Sequence, residues 1–168
     1  VSNITTTSAD LSWSINANAT SYDVQYRIVG SGTWNTVNTA TNSLSIASLS
    51  PASNYEWQIR ANCVNGNSFY VSGSNFTTLT PPCNDVTNPI VSNIGTSSAD
   101  LGWDVVSGAT GYSVQYRISG NQTWANANAA TNSLSLTGLN YSSTYEWQVQ
   151  TNCQYSNSNF VNGSNFST

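Results

Sequence analysis

The chain has no histidine, no lysine and no methionine, and only 6% of its 168 residues are charged, against about a quarter in an ordinary globular protein. Each shortage excludes something. Without histidine there is no Ser-His-Asp or Cys-His arrangement for nucleophilic catalysis, and no imidazole to ligate zinc. The only cationic side chains are Arg27, Arg60 and Arg117. They are too few for the clustered positive charge that binds nucleic acid or an anionic membrane surface. No apolar run approaches the roughly 18 residues of a membrane helix, so membrane insertion is not expected. The carboxylates, Asp10, Asp23, Glu56, Asp85, Asp100, Asp104 and Glu146, include no Asp-x-Asp-x-Asp run. A loop site at Asn84 and Asp85 is the one calcium arrangement to weigh. The chain is therefore read as no enzyme, with no cofactor. It opens at Val1 without a signal peptide and is read as a piece of something larger.

Ser, Thr and Asn supply the polarity, and 6 Trp, 9 Tyr and 4 Phe supply core material. Ser, Thr and Asn favour caps and turns over helix interiors; Thr, Val, Tyr and Trp favour strands. The composition points to an all-β fold.

A repeat organises the chain. Shifting it by 90 residues pairs 1–78 with 91–168 without gaps, and 44 of the 78 positions are identical, about 56%. Duplication is the reading, within a longer array. The expected units are 1–79 and 90–168. Between them, residues 80–89 form a Pro-rich linker with Pro81, Pro82 and Pro89, stiff and extended.

Within one copy, Leu11, Trp13 and Ile15 alternate with serines. Tyr22, Val24, Tyr26 and Ile28 alternate with polar residues, as do Tyr55, Trp57, Ile59 and Ala61. Asn3–Thr7 is expected to open the module. Trp34 with Val37, then Leu44 with Ile46, and a last run through Tyr70, Gly73 and Phe76 complete seven short strands, a two-sheet sandwich. The outward residues Arg27 and Glu56, like Arg117 and Glu146, fall opposite each other as weak surface ion pairs.

Trp13, Tyr22-x-Val24-x-Tyr26-Arg27 and Leu49-x-Pro51-x-x-x-Tyr55 together resemble the skeleton of fibronectin type III domains, and Trp103, Tyr112-x-Val114-x-Tyr116-Arg117 and Leu139 with Tyr145 repeat it. The resemblance implies two tandem seven-stranded Ig-like sandwiches. It also implies a tyrosine corner at Tyr55 and Tyr145, whose hydroxyls bond upstream backbone. Tyr141 in place of Pro51 is the departure. The Tyr-Glu-Trp-x-x-x-x-x-Cys stretch is most similar to copies in large secreted proteins of Bacteroidetes. There such modules serve as spacers or adhesive stalks beside catalytic domains or in surface adhesins.

Cys63 and Cys153 are repeat equivalents, and Cys83 lies in the linker. The expected bridge is Cys63–Cys83, one per repeat, leaving Cys153 unpaired in this fragment; three independent thiols are the alternative. A zinc site lacks a Cys-x-x-Cys pair. A bridge places the protein in an oxidising compartment, extracellular or at a cell surface.

Trp34 and Trp124 follow turns and are the candidate ligand-facing aromatics, with edge-of-core packing as the competing role. The function expected is that of a non-catalytic structural or adhesive spacer in a secreted or surface-anchored protein. The alternatives are a carbohydrate-binding module appended to a secreted enzyme and a subunit of a self-assembling extracellular fibre. The partners expected are other domains of the same polypeptide, with glycans or like subunits as further candidates.

Overall fold

The computed structural model describes residues 1–168, and all its regular structure is strand. The chain divides into two compact units, Val1–Pro81 and Pro82–Thr168. The first contains β1 (Ala9–Ser12), β2 (Ala19–Ile28), β3 (Asn35–Thr39), β4 (Ser43–Ile46), β5 (Asn54–Cys63) and three short pieces, β6 (Gly66–Asn67), β7 (Val71–Ser72) and β8 (Phe76–Thr77). The second contains β9 (Ile90–Ser92), β10 (Ser98–Gly102), β11 (Ala109–Ile118), β12 (Ala125–Ala129), β13 (Ser133–Thr137), β14 (Thr144–Cys153), β15 (Val161–Asn162) and β16 (Phe166–Ser167).

The two long strands of each unit carry the period-2 runs and pair antiparallel, β2 with β5 and β11 with β14. β3 and β12 flank them on one side. On the other side the last strand comes in two pieces, β7 with β8 and β15 with β16. A second sheet faces this one. It is β1–β4 in the first unit and β13–β10–β9 in the second.

The alternation decides which side chains meet between the sheets. Leu11, Val24, Ile46, Tyr55, Trp57 and Phe76 form the first core; Leu101, Val114, Leu136, Tyr145, Trp147 and Phe166 form the second. Tyr55 stacks on Phe76 and Tyr145 on Phe166, each at 5.5 Å between ring centroids. Trp57 and Trp147 donate their indole N–H to the carbonyls of Ser74 and Ser164, each at 3.0 Å. The split in the last strand has its cause here. A Cβ at Gly73 or Gly163 would overlap the Trp57 or Trp147 ring, so only glycine lets the strand pass. The tyrosine corner forms in both units: the Ser50 and Asn140 N–H groups donate to the Tyr55 and Tyr145 hydroxyls at 2.9 Å.

Several expectations are corrected. Asn3–Thr7 makes no strand. Asn3 and its equivalent Asn93 sit at φ 47°, and each bonds the carboxylate of Asp10 or Asp100. Ile15 lies beyond the end of β1 and is 74% exposed, because the backbone leaves the sheet at Ser12. Trp13 is half-buried, whereas its copy Trp103 is buried.

The largest correction concerns residues 80–89. From Pro82 onward they are not a free linker but part of the second unit. Val86 is 3% exposed, in the same buried cluster as Trp103 and Tyr112. The Thr87 carbonyl accepts the Asp104 N–H at 2.9 Å, and Thr87 and Asn88 both donate side-chain bonds to the Asp104 carboxylate. Cys83 is thereby held against β14, and the disulfide is Cys83–Cys153, with a Cα separation of 5.8 Å, inside the range a bridge requires. The expected Cys63–Cys83 bridge does not form. Cys63, not Cys153, carries the free thiol.

Candidate functional site

The outward face of the long-strand sheet holds the polar residues that the alternation turns away from the core. In β2 and β5, directly opposed positions add up to 83: Asp23 faces Arg60, Gln25 faces Gln58 and Arg27 faces Glu56. Each pair bonds. Arg60 donates through Nε and Nη2 to Asp23 Oδ2 at 2.9 and 2.8 Å. Gln58 donates to Gln25 Oε1 at 2.7 Å, and Arg27 Nε donates to Glu56 Oε1 at 2.7 Å. In the second unit, Gln148 donates to Gln115 at 2.6 Å and Arg117 to Glu146 at 2.9 Å, while Ser113 and Gln150 stand in place of the Asp23–Arg60 ion pair. The Asp23–Arg60 pair escaped the sequence reading, although the register that pairs Arg27 with Glu56 also pairs these two.

The electrostatics follow from these bonds. The Asn38 amide, then Arg60, holds the Asp23 carboxyl below the usual aspartate range. The Ser119 hydroxyl, with Arg117 second, does the same for Glu146. Asp10 and Asp100 are lowered by Ser45 and Ser135 respectively, with Asn3 and Asn93 second. All four point away from the raised carboxyl pKa that suits a general acid at neutral pH.

Trp34 and Trp124, the candidate ligand-facing aromatics, are half-buried at the edge of this face. Each ring has a guanidinium over it, Arg27 on Trp34 and Arg117 on Trp124, both 4.1 Å from the centroid. Each arginine is also held by a glutamate, so a carboxylate–guanidinium–indole stack recurs in the two units. The arrangement is a cation–π contact locked in place from behind. In the second unit it borders a shallow cleft of about 250 Å³, with Arg117, Trp124, Glu146, Asn162, Gly163 and Asn165 on its walls.

The other candidates are used differently. Asp85 Oδ1 accepts the Asn159 N–H at 2.9 Å and so anchors the Pro82–Pro89 segment. No group of three or more His, Cys, Asp or Glu side chains stands close enough to hold a metal ion.

The fibronectin type III model matches residues 1–77 and 84–164. The chain belongs to the fibronectin type III family. Among solved structures, its modules are similar to the two fibronectin type III domain segment from chicken tenascin. That match has a TM-score of 0.60 and 18% identity, over 99% of this chain and 95% of that one. They are also similar to the FN1–FN3 domains of chicken CNTN1, with TM-score 0.51 and 14% identity, over 96% of this chain and 60% of that one. These likenesses establish the fold. Among curated proteins, endoglucanase B of Cellulomonas fimi is 30% identical over an alignment of 161 residues that covers 88% of this chain. The chain spans about 15% of that relative's length.

Proposed function

We propose that this fibronectin type III pair is a non-catalytic spacer in a larger extracellular protein, set beside a domain that does the chemistry. The observation that carries the reading is the closure of both candidate platforms from within. Arg27 and Arg117 lie on the rings of Trp34 and Trp124, and the outward polar side chains bond one another across the strands. The face is occupied with its own ladder, as suits a module that keeps its shape and stays soluble with few charges.

Two further observations agree. The Cys83–Cys153 bridge suits an oxidising compartment. The relative with which the chain shares 30% identity is an endoglucanase, matched over a small part of its length, which fits a parent enzyme acting on polysaccharide. The kind of parent we favour, a large secreted protein like those of Bacteroidetes, rests on the Tyr-Glu-Trp-x-x-x-x-x-Cys stretch alone. The test is deletion of the pair from its parent. Turnover of a soluble substrate is expected to stay unchanged while the reach or surface display of the neighbouring domain shortens. Loss of turnover on the soluble substrate would overturn the reading.

The cleft at Arg117, Trp124 and Glu146 favours a second reading, a weak glycan contact in the second module. Affinity electrophoresis on soluble polysaccharides separates the two: retardation abolished by Trp124→Ala supports glycan binding, and unretarded migration supports the spacer.

A further inference from the structure

The two modules differ most at the end of the sandwich beside Trp13 and Trp103. In the second module that end is covered by Cys83–Thr87. Val86 enters the core, Asp85 takes the Asn159 N–H, the Thr87 carbonyl takes the Asp104 N–H, and Cys83 is tied to Cys153. The repeat offset of 90 carries the receiving residues Asp104, Asn159 and Cys153 onto Ser14, Phe69 and Cys63.

In the first module this place is an open cleft of about 170 Å³, with Trp13, Ser14, Tyr22, Ala61 and Val71 on its walls. Its surroundings are apolar and uncovered. Phe69 is 94% exposed and Val71 65% exposed; Trp13 is half-buried where Trp103 is buried. Cys63 stands two residues beyond Ala61 on β5, hence on the same face of the strand, and its thiol is free. The cleft and the thiol are independent features, and both match a segment seen seated on the other copy.

We propose that this cleft is an acceptor site for an extended peptide segment with the chemistry of Cys83–Thr87, a cysteine followed three residues later by a β-branched apolar side chain, and that Cys63 closes a disulfide with it. The occupant is a peptide segment with the chemistry of Pro82–Pro89, the stretch seated on the second module. The valine fills the space beside Trp13 and Tyr22. Its docking places the segment's cysteine at Cys63, as Val86 places Cys83 at Cys153. The first module is then closed as the second is, by a disulfide to a segment docked beside its tryptophan.

The test uses the 168-residue chain and a synthetic peptide with the sequence of Pro82–Pro89, its cysteine supplied as the mixed disulfide with glutathione. The Cys63 thiolate attacks the peptide sulfur. The bond to glutathione breaks, glutathione leaves as thiolate and takes up the proton that Cys63 gave. One disulfide is consumed and one forms, with no net oxidation. Mass spectrometry is expected to find peptide, not glutathione, on Cys63. The rate should exceed that of the Val86→Asp peptide by at least about ten-fold, the scale set by burying one valine side chain. In the Cys63→Ser chain no adduct forms, but the Trp13 indole resonance still shifts on adding the reduced peptide. Equal rates for the two peptides, or an unmoved Trp13 resonance, would overturn the proposal.

Discussion

The two modules are identical at 44 of 78 paired positions, and they are closed in different ways. The second has a three-stranded outer sheet, a valine from its entering segment in the core and a disulfide joining that segment to β14. The first has a two-stranded outer sheet, extended only by an isolated bridge between Ser2 and Asp10, a free cysteine, and one ion pair that the second lacks. The shared residues build the aromatic core and the polar ladder. Apart from the Asp23–Arg60 pair, the differences lie where the entering segment docks on the second module, so the folded unit there includes the residues from Pro82 onward.

Breaking the staple is the strongest way to erase the difference. Cys83→Ser removes a bridge between residues 70 apart in sequence, worth roughly 4 kcal/mol in the chain-entropy account. Residue-resolved hydrogen exchange is expected to show global opening of the second module facilitated by about that amount, with the first module unchanged. Next comes Val86→Ala, which opens a gap in the second core and costs about 2 kcal/mol in denaturant unfolding. The disulfide still forms in that variant, which separates packing from cross-linking.

A smaller effect tests what the modules share. Tyr55→Phe and Tyr145→Phe each orphan a backbone N–H and are expected to cost about 1 kcal/mol apiece. Equal losses by hydrogen exchange would show that the corner is the same device in both. The smallest effect is Arg60→Gln, which gives the first module the glutamine of the second. It costs about 0.5 kcal/mol, because the pair is partly exposed. It also alters acid sensitivity. Asp23, lowered by Asn38 and Arg60, adds stability above its unfolded value near 3.8 and loses it as pH falls through its lower folded value. Without Arg60 that lowering shrinks, so acid titration followed by the Trp57 resonance should show a smaller loss in the first module. Ser113 gives the second no such contribution.

Much of this was legible in the chain. Alternation located the long strands because a side chain on a strand must face either core or solvent. The register that opposes Arg27 to Glu56 was also readable, and it contains the Asp23–Arg60 pair. The stack of Arg27 on Trp34 was not readable, since Trp34 lies outside the paired strands and its ring orientation depends on how the turn before β3 returns. Ile15 was misplaced because alternation alone does not say where a strand stops.

By itself the sequence determined the repeat, the all-β class and the aromatic core, because these depend on period, while the tyrosine corner followed from the resemblance to fibronectin type III domains. Only the tertiary structure decided the cysteine pairing and the ownership of residues 82–89. Three cysteines allow three pairings, and a disulfide joins whichever two are brought within about 7 Å between Cα atoms. That distance was set by Val86. Its burial beside Trp103 and not beside Trp13 is decided between two copies of one module, and no local pattern records it.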